Sequence, residues 1–380
     1  MMKPKIIRAC TVPISVIFVT GMLPELQKQY EVVLLSSPGH ELDEAEEKYG
    51  ARGIRVPMKR RISLGHDFVS LCRLVYVFLR EKPAMVHSMT PKAGLLCMIA
   101  AWLARVPVRV HTFTGLVFPT ATGFKRKILM LTDRLTCACA THLIPEGEGV
   151  KNDLLKNGIT KKPMKVLGYG NVRGIDMARF DRRPEVMTLA QEIRRDDVFT
   201  FVFVGRIVRD KGINELCQAM EMLSAIAPVR LLLVGPYEDE LDPILQQSKD
   251  IIENNPSIKY LGSKYGDELL ACYAAADCFE FPSYREGFPN TVLEAGAMGL
   301  PSIVTDINGS REIIVQGENG VIIPPRNADA LYKAMLDMIR NKPVRDLMAG
   351  NARKMIASRF EQGFVTKCLL DYYEEILNSN

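Results

Sequence analysis

Short apolar runs rich in β-branched residues alternate with longer amphipathic stretches along most of the chain, the pattern of β-α-β units and a parallel sheet. In the first half the runs predict strands at Ile6–Val12, Glu31–Ser36, Met85–His87, Val108–His111 and His142–Pro145. In the second half they predict strands at Phe199–Val204, Arg230–Val234, Ile258–Leu261, Cys278–Phe281, Pro301–Val304 and Val321–Ile323. Helices are expected at Leu95–Ala104, Ile213–Leu223, Asp267–Ala275, Thr291–Ala297 and Asp329–Arg340. The fold class is therefore α/β, with two doubly wound domains that meet in the polar stretch Gly174–Arg183.

A length of 380 residues agrees with two domains at roughly 150 residues each. Hydrophobic residues at 47% and charged residues at 24% sit near globular averages, which excludes long disordered or low-complexity segments. The longest apolar run, Ala93–Ala104, is too short to span a bilayer. Lys3, Lys5 and Arg8 ahead of an apolar stretch imitate a signal peptide, but Pro13 interrupts it and no small-residue cleavage site follows, so a strand, loop and helix are expected there. Nine scattered cysteines without a Cys-x-x-Cys pair or a histidine cluster indicate neither a zinc site nor a disulfide framework, and fit a reducing cytoplasm. The net charge of +5 divides into +13 for residues 1–180 and −8 for residues 181–380. An anionic partner for the first half, or attraction between the halves, would account for that split.

Candidate chemistry concentrates in two segments. In FPSYREGFPNTVLEAGAMGLP, residues 281–301, a strand end leads through Glu286, Gly287 and Phe288 to a helix opened by Pro289 and Asn290. The amides of Thr291, Val292 and Leu293 are expected at the helix end, where a diphosphate can bind, with Glu294 about one turn in. In FVGRIVRDKG, residues 203–212, Arg206 and Lys211 follow a buried strand at its C-terminal end and can converge on one polyanion. Gly168, Gly170 and Gly174 are a weak dinucleotide-binding signal, because the third glycine comes one place late.

Together these segments resemble the retaining glycosyltransferase family 4, enzymes of the GT-B fold with two facing Rossmann-like domains and a cleft between them. GRIVRDKG at 205–212, VGP at 234–236, PSYREGFPNTVLEAGAMGLPSIVTD at 282–306 and REIIVQGENGVIIPP at 311–325 carry the likeness. Glu286 and Glu294 reproduce the family's Glu-x7-Glu spacing. The resemblance implies an acceptor-side domain over residues 1–175 and a donor-binding domain over 176–360, with a helix at about 360–380 packing back onto the first.

It further implies that Glu286 holds sugar hydroxyls and Glu294 the ribose, while Arg206 and Lys211 neutralise the departing diphosphate. Gly205, Gly287, Phe288, Pro289, Asn290, Thr291 and Val292 would complete the donor cradle. His111, in RVPVRVHTFTG, matches a family histidine beside the donor sugar, and His87 with Lys92 is expected to face the same cleft. Gly21 is the one glycine near the expected first helix, because the family's double-glycine loop is replaced by TVPISVIFVTG, and PEGEG at Pro145–Gly149 departs from the usual serine-rich segment. No cofactor and no metal are implied, and no Asp-x-Asp occurs.

The expected partners are a nucleotide-sugar donor, UDP-linked, and a glycan acceptor linked to a lipid diphosphate; nucleic acid is not among them. An anionic membrane surface would be met by the basic residues of Arg52–Arg61 and by Lys125–Lys127, which places the enzyme in the cytoplasm, peripheral on the inner face of the membrane. A nucleotide-sugar epimerase or hydrolase of the same fold, or a non-catalytic nucleotide-binding subunit, are the alternatives.

Overall fold

The computed structural model describes residues 3–60, 62–240 and 242–379. They form two units, the chain up to Gly174 together with Gln362–Asn380, and Ile175–Glu361.

In the first unit the strands are β1 (Lys5–Ala9), β2 (Glu31–Ser36), β3 (Arg52–Arg55), β4 (Met85–Met89), β5 (Val108–Phe113) and β6 (His142–Pro145). They form one parallel sheet in the order β3-β2-β1-β4-β5-β6. Successive residues of a strand face opposite sides, so β1 feeds two cores. Ile7 and Ala9 join Leu74, Phe78 and Leu96 on one side, and Ile6 joins Leu23, Leu26 and Leu369 on the other. β1 stops at Ala9, short of the expected Val12, and Pro13 opens a 3-10 turn, since proline fixes φ and brings no amide for a ladder. β3 was not expected, because Arg-Gly-Ile-Arg has a single apolar side chain. It is an edge strand whose arginines bind Glu81, Asp43 and Glu46. Arg61, in the same basic cluster, lies outside the described residues.

The first unit also buries a cation. Arg8 of β1 is 2% exposed, and its Nη1 donates to the Tyr373 hydroxyl at 2.7 Å while Nη2 points at Met89 Sδ at 3.1 Å. His87 Nδ1 meets the same hydroxyl, and its Nε2 lies 2.6 Å from Thr112 Oγ1. None of these partners is a carboxylate. Burial, with the Arg8 charge beside it, holds the His87 imidazole neutral.

In the second unit the strands are β7 (Phe199–Val204), β8 (Val229–Val234), β9 (Ile258–Gly262), β10 (Cys278–Phe281), β11 (Ser302–Thr305) and β12 (Gly320–Ile323), ordered β12-β11-β10-β7-β8-β9. Each sheet thus sets its first strand beside its fourth, the doubly wound order in which connections leave in opposite directions and open a crevice at the strands' C-terminal ends. In the second unit that crevice lies between the loops after β7 and β10; in the first, between those after β1 and β4. Among the described residues no helix is long and apolar enough to cross a membrane.

β10 carries an anomaly, since Glu280 is fully buried and neither carboxyl oxygen has a hydrogen-bond partner beyond the weakly donating Cys278 thiol. Burial pushes its carboxyl well above the usual range, so the folded chain keeps a proton there. The unfolded chain releases that proton near the ordinary carboxylate pKa, so Glu280 costs stability increasingly as pH rises above it. Glu280→Met is expected to raise stability at neutral pH by about 1–3 kcal/mol, and to flatten the decline as pH rises above the ordinary carboxylate range, in urea unfolding at several pH values. An unchanged slope would show that Glu280 is not the group responsible.

Candidate active site

The loops after β7 and β10 interlock through Asp210. Its amide donates to Asp242 at 2.8 Å, its carbonyl accepts from the Tyr284 amide at 2.8 Å and the Ser283 hydroxyl at 3.2 Å, and its carboxylate binds Arg285 at 3.0 Å. Gly212 makes the approach possible. Its φ is +73°, and a Cβ there would lie 2.1 Å from the Pro282 carbonyl oxygen. The Tyr284 hydroxyl reaches both oxygens of Glu215 at 2.6 Å, fixing the loop to the following helix Ile213–Ser224.

This framework holds Lys211 against Glu286 in a direct ion pair, with both side chains mostly covered. The Ser283 hydroxyl lies 3.0 Å from the same Glu286 oxygen and shares its one proton between that oxygen and the Asp210 carbonyl. Arg206 lies at the end of β7 and pairs with Glu238 at 2.8 Å. Burial works against its charge, but the Glu238 carboxylate together with the nearby Asp210 and Glu286 charges outweighs burial and keeps the guanidinium more firmly protonated than usual. Gly205 is anchored through its amide to Val234, and Ile207 to Pro236, so the GRIVRDKG loop is bound to the VGP strand end.

The helix Asn290–Ala297 begins after Pro289, one residue before the expected Thr291. Of the three amides expected at its open end, that of Val292 already donates to the Pro289 carbonyl at 3.2 Å. Gly287 meets Gly309, whose φ of +73° brings the backbone at 309 so close that a Cβ would lie 2.6 Å from the Gly287 oxygen. Phe288 turns its ring into the core, edge-on to Phe360 at 5.5 Å, so it contributes backbone to the loop while its side chain anchors it. Glu294 is 8% exposed and accepts a hydrogen bond from the buried Tyr273 hydroxyl at 3.1 Å. Ser283, Tyr273 and Glu238 are the participants that sequence reasoning missed. Tyr273 and Glu238 contact Glu294 and Arg206 across separations that local motifs do not reveal, whereas Ser283 lies three residues before Glu286 in the same segment.

The first-unit candidates are more dispersed. Ser88 stands opposite His111 in the β4–β5 register, one residue out of phase with His87, so the two histidine rings lie on opposite faces of the sheet and do not face one side as expected. His87 belongs to the Arg8–Tyr373 cluster. His111 is 2% exposed, its Nδ1 lies 2.9 Å from the Ser88 hydroxyl, and its ring packs edge-on to Phe113 at 4.5 Å. Burial pushes its pKa down to about 3. A Cβ at Gly94 would strike the imidazole at 2.3 Å. With Leu129 and Asp133 it lines a narrow pocket, where burial raises the Asp133 carboxyl to about 7. Lys92 binds Asp67 at 2.8 Å, and Gly21 is exposed at the end of the short helix Ile17–Thr20. At this unit's own crevice Thr90 holds φ at +70°, secured by the Thr11 hydroxyl at 2.7 Å.

Two family descriptions cover most of the chain. Residues 188–355 match glycosyl transferases group 1, and residues 16–170 match the glycosyl transferase 4-like domain. A capsular polysaccharide biosynthesis glycosyltransferase of Staphylococcus aureus, CapM, is 31% identical over 100% of this chain and 99% of its own. An Escherichia coli UDP-Gal:α-D-GlcNAc-diphosphoundecaprenol α-1,3-galactosyltransferase is 29% identical over 79% and 78%. Among solved structures, Anabaena HepE in complex with UDP-glucose superposes with a TM-score of 0.80 at 17% identity, covering 98% of this chain and all of its own. That last likeness shows the shared GT-B fold.

Proposed function

The chain belongs to the group 1 glycosyl transferases, and from that premise we propose that it moves a sugar from a UDP-sugar to a hydroxyl of a lipid-diphosphate-linked glycan in the synthesis of a surface polysaccharide, with retention at the anomeric carbon and without a metal. The observation that carries this reading is the Lys211–Glu286 ion pair that joins the loops after β7 and β10, with Arg206 in the first of those loops and Glu294 in the helix that follows the second. The nature of donor and acceptor is supported by the E. coli relative, named for a UDP-galactose donor and a diphosphoundecaprenol-linked acceptor.

On this reading the bond between the anomeric carbon and the diphosphate oxygen breaks as negative charge grows on the leaving group. Arg206 and Lys211 stabilise that charge where it develops. To do so they exchange their carboxylate partners, Glu238 and Glu286, for phosphate oxygens. Glu286, relieved of Lys211 and still held by Ser283, turns its acceptor oxygens to sugar hydroxyls. Glu294, oriented by Tyr273, takes the ribose. The acceptor oxygen bonds to the anomeric carbon from the face the diphosphate leaves, and its proton passes to a departing phosphate oxygen.

The two glutamates test this division. Glu294→Ala is expected to weaken UDP binding by about tenfold or more, as the loss of a charged hydrogen bond does. Glu286→Gln is expected to keep or tighten UDP binding, because it frees Lys211, while depressing transfer by about 10²-fold. Calorimetric titration with UDP and initial rates on the UDP-sugar read the two effects separately. Equal loss of UDP affinity in both variants would overturn the assignment.

A further inference from the structure

Helix Gly123–Cys139 carries one acid that the fold covers without giving it a partner. Asp133 lines a narrow pocket at the C-terminal ends of β4 and β5, with Thr90, His111, Thr114, Leu129 and Thr132. Among the described residues no hydrogen bond or ion pair reaches its carboxyl, and burial by itself raises it to about 7. Buried carboxyls are almost always partnered, by protein groups or by ordered water. The free space in the pocket is about 20 Å³, room for one water-sized group. The hydroxyls of Thr90, Thr112 and Thr132 already meet Thr11, His87 and the Leu129 carbonyl, so the Asp133 carboxyl, the His111 ring and the Thr114 hydroxyl are left to hold such a group.

Other charged groups on the surrounding elements are engaged elsewhere. On the same helix, Lys125 and Lys127 are exposed near its start, Arg126 donates to Asn157 at 2.7 Å, and Arg134 donates to the Gly158 carbonyl at 3.2 Å. Burial pushes the Cys137 thiol, one turn on, up to about 12 and raises that of Cys139 as well. Lys162 binds the carbonyls of Cys137, Ala138 and Ala140 at the helix end. The neighbouring helix Pro91–Leu103 brings Lys92, held by Asp67, and the Cys97 thiol, which burial keeps protonated. β5 brings Arg109, bound to the carbonyls of Cys139 and Val106, and His111. His111 is the other titratable group in the pocket. Its Nδ1 side faces the Ser88 hydroxyl, which can donate or accept and therefore fits either neutral tautomer. The choice of tautomer falls to the Nε2 side.

We propose that Asp133 is a positioning residue for His111, acting through one water held between its carboxyl and Nε2, so that the charge on Asp133 selects the imidazole tautomer. With the carboxyl ionised, Nε2–H donates to the water, the water donates to the carboxylate, and Nδ1 accepts from the Ser88 hydroxyl. With the carboxyl protonated the chain runs the other way. Asp133 donates to the water, the water donates to Nε2, and Nδ1–H donates to Ser88. Between the two forms one proton leaves Asp133 for solvent, and the ring keeps its own, moved from Nδ1 to Nε2. A sugar hydroxyl entering the pocket would replace the water on the same two groups. That consequence rests on the glycosyltransferase reading, whereas the tautomer does not.

The test is nitrogen NMR of the full chain labelled in its histidines, from about pH 5.5 to about pH 8.5, with the His111 signals identified by their loss in His111→Gln. The wild type is expected to pass from Nδ1–H to Nε2–H as pH rises, with a midpoint near the Asp133 value of about 7. The ring itself stays neutral throughout, because burial holds its own pKa down at about 3. Asp133→Asn and Asp133→Leu are both expected to abolish the step and leave one tautomer at every pH, with melting curves showing that each variant is folded. A wild-type tautomer that does not change with pH, a His111 that becomes an imidazolium in this range, or the same step in either folded variant would overturn the proposal. The measurement uses no sugar nucleotide, so its outcome is separate from that of the glycosyltransferase reading.

Discussion

Lys211→Ala is expected to lower kcat by about 10²-fold or more, and Arg206→Ala by a similar factor, because each removes a cation aimed at the charge of the breaking diphosphate bond. In free energy that is about 3 kcal/mol of barrier per cation, and the two losses should not add fully because both act on one leaving group. The structure changes how the experiment must be built. Lys211 is mostly covered, with its ammonium 5.4 Å from the Phe281 ring centroid and its partner Glu286 beside it, so alanine also leaves a carboxylate unpaired. Lys211→Met retains the packing of the stem and removes only the charge. It should show the same fall in kcat with a smaller change in melting temperature. Arg206, about one-third exposed, needs no such control. Steady-state kinetics on the UDP-sugar with matched melting curves decide the matter. Near-wild-type turnover in both single variants would remove the diphosphate role from these residues.

Tyr373→Phe is expected to destabilise the first unit by about 3 kcal/mol, although it deletes a single oxygen. That hydroxyl is shared by Arg8 and His87, and its loss leaves a buried guanidinium nitrogen and an imidazole nitrogen without their partner. The neighbouring Tyr372 makes a useful comparison, since its ring packs near His142 and under the Lys165 ammonium. Tyr372→Phe should cost less than about 0.5 kcal/mol. Urea unfolding followed by far-ultraviolet circular dichroism would separate the two variants. Equal midpoints would show that the Arg8 cluster finds other partners. The sign is secure because the charge has no carboxylate in its cluster to fall back on.

Much of the second unit was legible as sequence. Its inner strands are mostly apolar runs buried on both faces, and Phe199–Val204 and Cys278–Phe281 emerge with the bounds that periodicity predicts. The positions of Arg206, Lys211 and Glu286 were also legible, because their loops follow buried strands and so lie at the strands' C-terminal ends, and Glu294 was legible as a residue about one turn into the next helix. The first unit was less readable. β3 escaped because an edge strand needs little apolar surface, and the helix Leu64–Glu81 was not among the expected helices although its apolar and polar residues do follow a helical period.

What the chain determines by itself is local: which segments are strands, where loops interrupt them, and which charged residues those loops carry. These follow from hydrophobic period, proline and glycine, whose effects reach only a few residues. Tertiary structure alone decides pairings across distance. It sets β7 beside β10, so that Lys211 meets Glu286, and it brings Glu238 to Arg206 and Tyr273 to Glu294. It also gives Tyr373, near the end of the chain, to Arg8 near its beginning, and puts His87 and His111 on opposite faces of one sheet. The physical reason is that burial, desolvation and hydrogen bonding act between groups that the fold makes neighbours, whatever their separation along the chain.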